Sequence, residues 1–145
     1  MTTTTNPTNT TNPTNPTKLF PLFVVEDLAA CKRFYVEELG WTATHDRPVY
    51  LQVRSGAGED APELCFMTRE ATPGPIPPFA GAGVIVSVPV DDADAHHAKL
   101  RARGLKPLAE PSDKPWSWRS YMLRDPAGVV LDFFHTIPAT AAKTG

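Results

Sequence analysis

Asp27-Leu28-Ala29-Ala30-Cys31-Lys32-Arg33-Phe34-Tyr35-Val36-Glu37-Glu38-Leu39-Gly40 decides the reading of the fold, because Asp91 to Gly104 repeats its plan at the same length. Asp27 stands where a helix N-cap belongs, since its carboxylate can accept bonds from the free amides of a first turn. Leu28, Cys31, Phe34, Tyr35 and Leu39 follow at three- and four-residue steps and form one apolar face. Gly40 closes the helix as a residue tolerant of positive φ. In the second copy Asp91 or Asp92 caps a helix running to Arg103, and Gly104 ends it.

Outward from each helix the flanking pattern is also shared. Leu19 to Val25 and Val84 to Val90 are apolar runs of strand length just before the caps. After the first helix, strands are expected over Trp41 to His45, Val49 to Arg54 and Glu63 to Thr68, with Ser55 to Ala61 as a turn. After the second they are expected over Lys106 to Ala109, Ser117 to Arg124 and Val129 to His135. Asp125-Pro126-Ala127-Gly128 joins the last two, with Pro setting φ and Gly free to take positive φ. A strand, a helix and three strands, twice over, predict an α+β fold of two βαβββ half-domains. Their curved, mostly antiparallel sheets, each covered by a helix on one face, can enclose a pocket.

The remaining segments set the boundaries. Residues 1–17 hold only Met, Thr, Asn and Pro, so they lack apolar surface to offset ordering entropy and are expected to form a mobile tail. The domain is expected over 18–135: a first half at 18–69, a linker at 70–83 with four prolines and three glycines, and a second half at 84–135. Residues 136–145 are polar and expected to fray. The chain's 145 residues suit one domain, with 41% apolar and 21% charged residues. A net charge of −2 gives no electrostatic reason to expect nucleic acid. No apolar run approaches the roughly 20 residues of a membrane span, and no basic-then-apolar leader is visible, so the expectation is a cytoplasmic protein. Cys31 and Cys65 make no disulfide framework or zinc pattern and read as small buried hydrophobes.

Val25-Glu26-Asp27-Leu28, Phe34-Tyr35 and Leu39-Gly40-Trp41 resemble the opening signature of the vicinal oxygen chelate superfamily, which includes glyoxalases, bleomycin resistance proteins and dioxygenases. Val90 to Ala95 with Arg103-Gly104 resembles the start of its second half. Pro115-Trp116-Ser117-Trp118-Arg119, leading into Arg124-Asp125-Pro126-Ala127-Gly128-Val129, is similar to the bleomycin-resistance-type branch. The fold implied is the one read from the repeat, but shared fold leaves the chemistry open.

Catalytic members of the superfamily hold a divalent metal with His, Gln or Glu at four strand positions. The first lies seven residues before the capping Asp, which here is Phe20; its counterpart is Val84 or Ile85. None of these side chains can donate a lone pair to a metal. Asp132 fills the last position, after the Asp-Pro-Ala-Gly turn, and Glu63 is its counterpart in the first half. These two are the residual metal candidates. His96 and His97 point about 100° apart on a helix, and His135 faces away from Asp132 on an alternating strand. His45 alone among the histidines could enter the cavity.

With no cofactor expected, the pocket suits a small hydrophobic or aromatic ligand. Its candidate residues are Tyr50, Phe66, Trp116, Trp118, Arg119 and Asp132. Trp116 and Trp118 share a parity and could stack a planar group on one side of a strand. Arg119 has the opposite parity. An acid at 132, amid Val130, Leu131, Phe133 and Phe134, is costly to bury without a partner. The resemblance implies a homodimer with pockets between subunits, sequestering an aromatic or cationic compound such as an antibiotic. The alternative it leaves open is a metal-dependent enzyme of glyoxalase, dioxygenase or epimerase type, with one divalent ion polarising vicinal oxygens.

Overall fold

The computed structural model describes residues 18–139, apart from 57, 72, 73 and 75. The tail expected at 1–17 lies outside the described residues. Two four-stranded sheets form, one from each half of the chain. In the first, β1 (Leu22–Val25), β2 (Thr42–Arg47), β3 (Tyr50–Arg54) and β4 (Glu63–Thr68) lie in the order β1-β4-β3-β2. In the second, β5 (Ile85–Pro89), β6 (Ser112–Lys114), β7 (Trp118–Arg124) and β8 (Val130–Thr136) lie in the equivalent order β5-β8-β7-β6. The βαβββ repeat is therefore the architecture. Each sheet is mixed, because β1 pairs parallel to β4 and β5 pairs parallel to β8, while the other pairings are antiparallel.

Helix α1 (Leu28–Lys32) starts at Asp27, whose side chain accepts from the Ala30 amide. It then widens into a π-helical segment over Arg33–Glu38, in which the Leu39 amide reaches back to the Phe34 carbonyl. The widened turn lets the adjacent residues Phe34 and Tyr35 both enter the core. Helix α2 (Ala93–Ala102) is capped by Asp92, which accepts from the amides of Asp94 and Ala95. This settles the alignment of the halves: Asp27 corresponds to Asp92, and Phe20 to Ile85.

Strand alternation sorts each sheet into two faces. Leu51, Val53, Leu64 and Phe66 lie under α1, where Tyr35 packs on Phe66 with ring centroids 5.0 Å apart. Tyr121, Leu123, Leu131 and Phe133 lie under α2, where the rings of His96 and His97 meet Tyr121. These two layers join in one core. Each large apolar side chain fully buried there, such as Phe66 or Phe133, contributes about 1.5–3 kcal/mol relative to exposure.

Several expectations need correction. Lys106 to Ala109 is not a strand; the strand beside β7 is Ser112–Lys114. Pro107 has no amide to offer a ladder, and the segment makes one bond to β7, from the Leu108 amide to the Met122 carbonyl. The last strand runs one residue beyond the expected limit at 135, and the Ile137 amide bonds to the Ser117 carbonyl. The linker holds a short 3-10 turn over Arg69–Ala71 and is pinned to the first half. Phe79 packs edge-on against Phe23 at 5.2 Å, and its amide bonds to the Val24 carbonyl.

Candidate functional site

The helix-free faces of the two sheets carry the polar side chains that a core would reject. Of the six buried polar or charged residues among those described, Gln52, Glu63, Ser120 and Asp132 project to these faces. On the first sheet they form a chain of contacts. The Tyr50 hydroxyl donates to Gln52 Oε1 at 2.8 Å, and Gln52 Nε2 donates to Glu63 Oε1. Lys18 Nζ reaches Glu63 Oε2 at 2.8 Å. Lys18 and Gln52 together hold the Glu63 carboxyl below its ordinary range. A carboxylate so fully engaged is a structural anchor and a weak base. Burial pushes the Tyr50 phenol up to about 12.

On the second sheet Trp118 and Phe134 stack nearly parallel, with centroids 3.6 Å apart and planes 11° from each other. Ser120, Met122 and Asp132 share that face. Asp132 is only 5% exposed. Its Oδ2 accepts from the Ser87 hydroxyl at 3.1 Å, whereas Oδ1 is buried without a hydrogen-bond partner. Ser87 itself is exposed at the sheet edge, so the carboxylate lies one residue inside an open surface. Ser87 and Glu63 also line one cavity of about 130 Å³ where the halves meet, together with Trp41 and Leu64.

The residues named from sequence are therefore divided. Tyr50, Trp118 and Asp132 stand on the helix-free faces. Phe66 does not; it is fully buried under α1 between Tyr35 and Phe23. Trp116 does not share a strand with Trp118, because Ser117 between them has φ +66° and turns the chain. Trp116 instead sits at the tip of the β6–β7 hairpin, 59% exposed. Arg119 points to the helix side, where it forks onto Asp94 at 2.7 and 2.9 Å and holds Asp113 at 2.9 Å. These carboxylates raise its ionisation beyond its ordinary range. His135 lies on the helix side too, and its Nδ1 accepts from the Ala93 amide at the start of α2. His45 lies edge-on to Tyr50 on the exposed part of β2. Sequence reading missed Lys18, Gln52 and Ser87, although the alternation Tyr50, Gln52, Arg54 against Leu51, Val53 marks one polar face.

The register also fixes the first-half counterpart of Asp132. Ser87 pairs with Asp132, and Leu22, equally far before its cap, pairs with Cys65. Cys65 is thus the equivalent residue, and Glu63 lies two residues earlier on the same face. The four positions that the resemblance assigns to metal ligands hold Phe20, Ile85, Cys65 and Asp132. Two are hydrocarbon, and burial disfavours ionisation of the Cys65 thiol. Among the described residues, no three of His, Cys, Asp and Glu converge to hold an ion. The donor set does not fit a resident divalent metal.

The sequence profile of the Glyoxalase/Bleomycin resistance protein/Dioxygenase superfamily matches residues 19–133. No curated protein matches significantly. Among solved structures, a glyoxalase/bleomycin resistance protein/dioxygenase from Nocardioides is 24% identical with a TM-score of 0.70, covering 90% of this chain and 89% of that one. TnmS3, an antibiotic binding protein from Streptomyces sp. CB03234, is 26% identical with a TM-score of 0.65, covering 86% and 99%. A glyoxalase/bleomycin resistance protein from the same Streptomyces strain is 28% identical with a TM-score of 0.59, covering 79% and 96%.

Proposed function

The chain belongs to the Glyoxalase/Bleomycin resistance protein/Dioxygenase superfamily, and we propose that it binds and sequesters a small aromatic or cationic compound, such as an antibiotic, without a metal and without chemistry. The observation that carries this reading is the unpartnered Oδ1 of Asp132. A buried carboxylate oxygen left without a donor costs on the order of 1–3 kcal/mol or more, and a ligand N–H placed there recovers it. The Trp118–Phe134 pair on the same face offers a flat apolar surface for the rest of such a molecule. Likeness to an antibiotic binding protein supports the same direction. The hydrocarbon side chains of Phe20 and Ile85 weigh against metal-dependent catalysis.

A cytoplasmic homodimer is part of the proposal. Leu22 and Ile85, on the two corresponding edge strands, are 46% and 56% exposed, and Leu19, Phe20 and Val84 beside them are exposed as well. Apolar surface of this kind calls for a partner, and a second copy would cover it while walling the ligand faces.

The test is calorimetric titration of the purified protein with 9-aminoacridine, a planar cation, and with anthracene-9-carboxylate, a planar anion, alongside elemental analysis. Preference for the cation, weakened at least tenfold in Asp132→Asn and Trp118→Ala, is the expected result. One tightly held divalent ion per chain, or equal affinity for both probes, would overturn it.

A further inference from the structure

A second crevice, of about 450 Å³, runs along the seam between the halves. Trp41 and Arg54 line it from the first half, and His96, Lys99 and Phe133 line it from the second. Its charges are mostly positive. Arg54, at the end of β3, is a permanent cation whose Nε is buried without a hydrogen-bond partner. Its cross-strand neighbour Glu63 is already held by Lys18 and Gln52. Lys99 lies one turn after His96 on the same face of α2 and makes no ion pair among the described residues. Asp91 is the one carboxylate lining the crevice among those residues. Beyond it Arg103 crosses from α2 to donate to the Glu38 carbonyl at 2.7 Å, beside Gly40.

His96 adds a neutral donor. The Tyr121 hydroxyl lies 2.5 Å from its Nδ1. Burial, reinforced by Lys99 and Arg103, lowers its pKa to about 4. With Tyr121 assigned as the donor to Nδ1, the uncharged ring carries its proton on Nε2. Two cations and a ring N–H around one crevice form the donor set of an oxyanion site. A buried guanidinium nitrogen without an acceptor is what such an anion would satisfy.

We infer that this seam crevice binds the carboxylate or phosphate group of a small molecule, gripped by Arg54 and Lys99 with His96 as a further donor. The site is separate from Asp132 and stands or falls independently of the sequestration reading.

The full chain would be titrated calorimetrically with pyrophosphate and with citrate at constant ionic strength, the two probes distinguishing phosphate from carboxylate chemistry. Saturable binding of either, weakened about tenfold in Arg54→Gln and in Lys99→Gln with melting temperature retained, is expected. Lys99 is exposed, so its replacement tests the idea even if the Arg54 variant folds poorly. Absence of saturable binding by both probes, or equal affinity in the Lys99→Gln protein, would overturn the inference.

Discussion

The hydroxyl of Tyr35 donates a 2.6 Å hydrogen bond to Oδ2 of Asp125, 90 residues along the chain, and fastens the first helical segment to the second half's final turn. The other oxygen of Asp125 accepts from the amides of Ala127 and Val129, so one carboxylate shapes the turn and joins the halves. Tyr35→Phe removes the donor and leaves a buried oxygen unsatisfied, with an expected loss of about 1–3 kcal/mol. Asp125→Ala, which also strips the turn of its acceptor, should cost more. Urea denaturation of both variants checks the order.

Gly128 has φ +97°, and a Cβ placed there would come within 3.1 Å of the Gly81 Cα. Both the backbone conformation and the approach of the linker require glycine. Gly128→Ala should therefore destabilise the fold by roughly 1–3 kcal/mol, whereas Gly58→Ala, with open space around it, should change little. Thermal melts of the two proteins make the comparison.

His96 gives stability a defined pH dependence. Its folded pKa, about 4, lies below the ordinary histidine value of 6.5 because burial disfavours the charged ring. The unfolded chain then takes up a proton that the folded one refuses, so the His96 contribution is present above pH 6.5 and lost as pH falls toward 4. The melting temperature should decline by a few degrees across that window, and His96→Gln should flatten the decline. An unchanged slope in the variant would refute the assignment.

Neither thiol is available to reagents. Cys31 and Cys65 are fully buried, and burial, with Asp125 and Asp27 nearby, pushes the Cys31 thiol up to about 12. Ellman's reagent at pH 8 is expected to label neither in the native protein and both in urea. Prompt labelling of the folded chain would contradict this.

Arg119 serves the exterior of the second half. Asp94 and Asp113 occupy its guanidinium, so Arg119→Met should lower stability modestly, by a margin that shrinks with added salt. Acridine binding should be unchanged. A large loss of affinity would place Arg119 in the ligand site after all.

The architecture was legible because its signals are local. Asp27 and Gly40 punctuate one helix, Asp92 and Gly104 the other, and alternation marks β3, β4, β7 and β8 within about a residue of their ends. Legibility failed where local pattern and backbone geometry part. Lys106 to Ala109 reads as a strand from its place in the repeat, yet Pro107 denies it a ladder. Trp116 and Trp118 share parity on paper, but the positive φ of Ser117 breaks the alternation that parity assumes. The π-helical turn at Arg33–Glu38 has no local sequence mark. The site was legible only in part. Asp132 stood out as an acid among apolar neighbours, but its orphaned oxygen and its Ser87 partner depend on pairing across 45 residues.

Parallel closure of each half has a consequence for synthesis. The opening strand of a half finds its partner only in that half's last strand, so Leu22 waits for Cys65 and Ser87 waits for Asp132. At roughly 5–20 residues per second on a ribosome, each apolar opening strand stays unmatched for seconds, longer than a local hairpin would. The first sheet can close before the second exists, and Tyr35 must hold its hydroxyl unclaimed until Asp125 emerges. Exposure to chaperones and to other nascent chains is thus timed by the order of the strands.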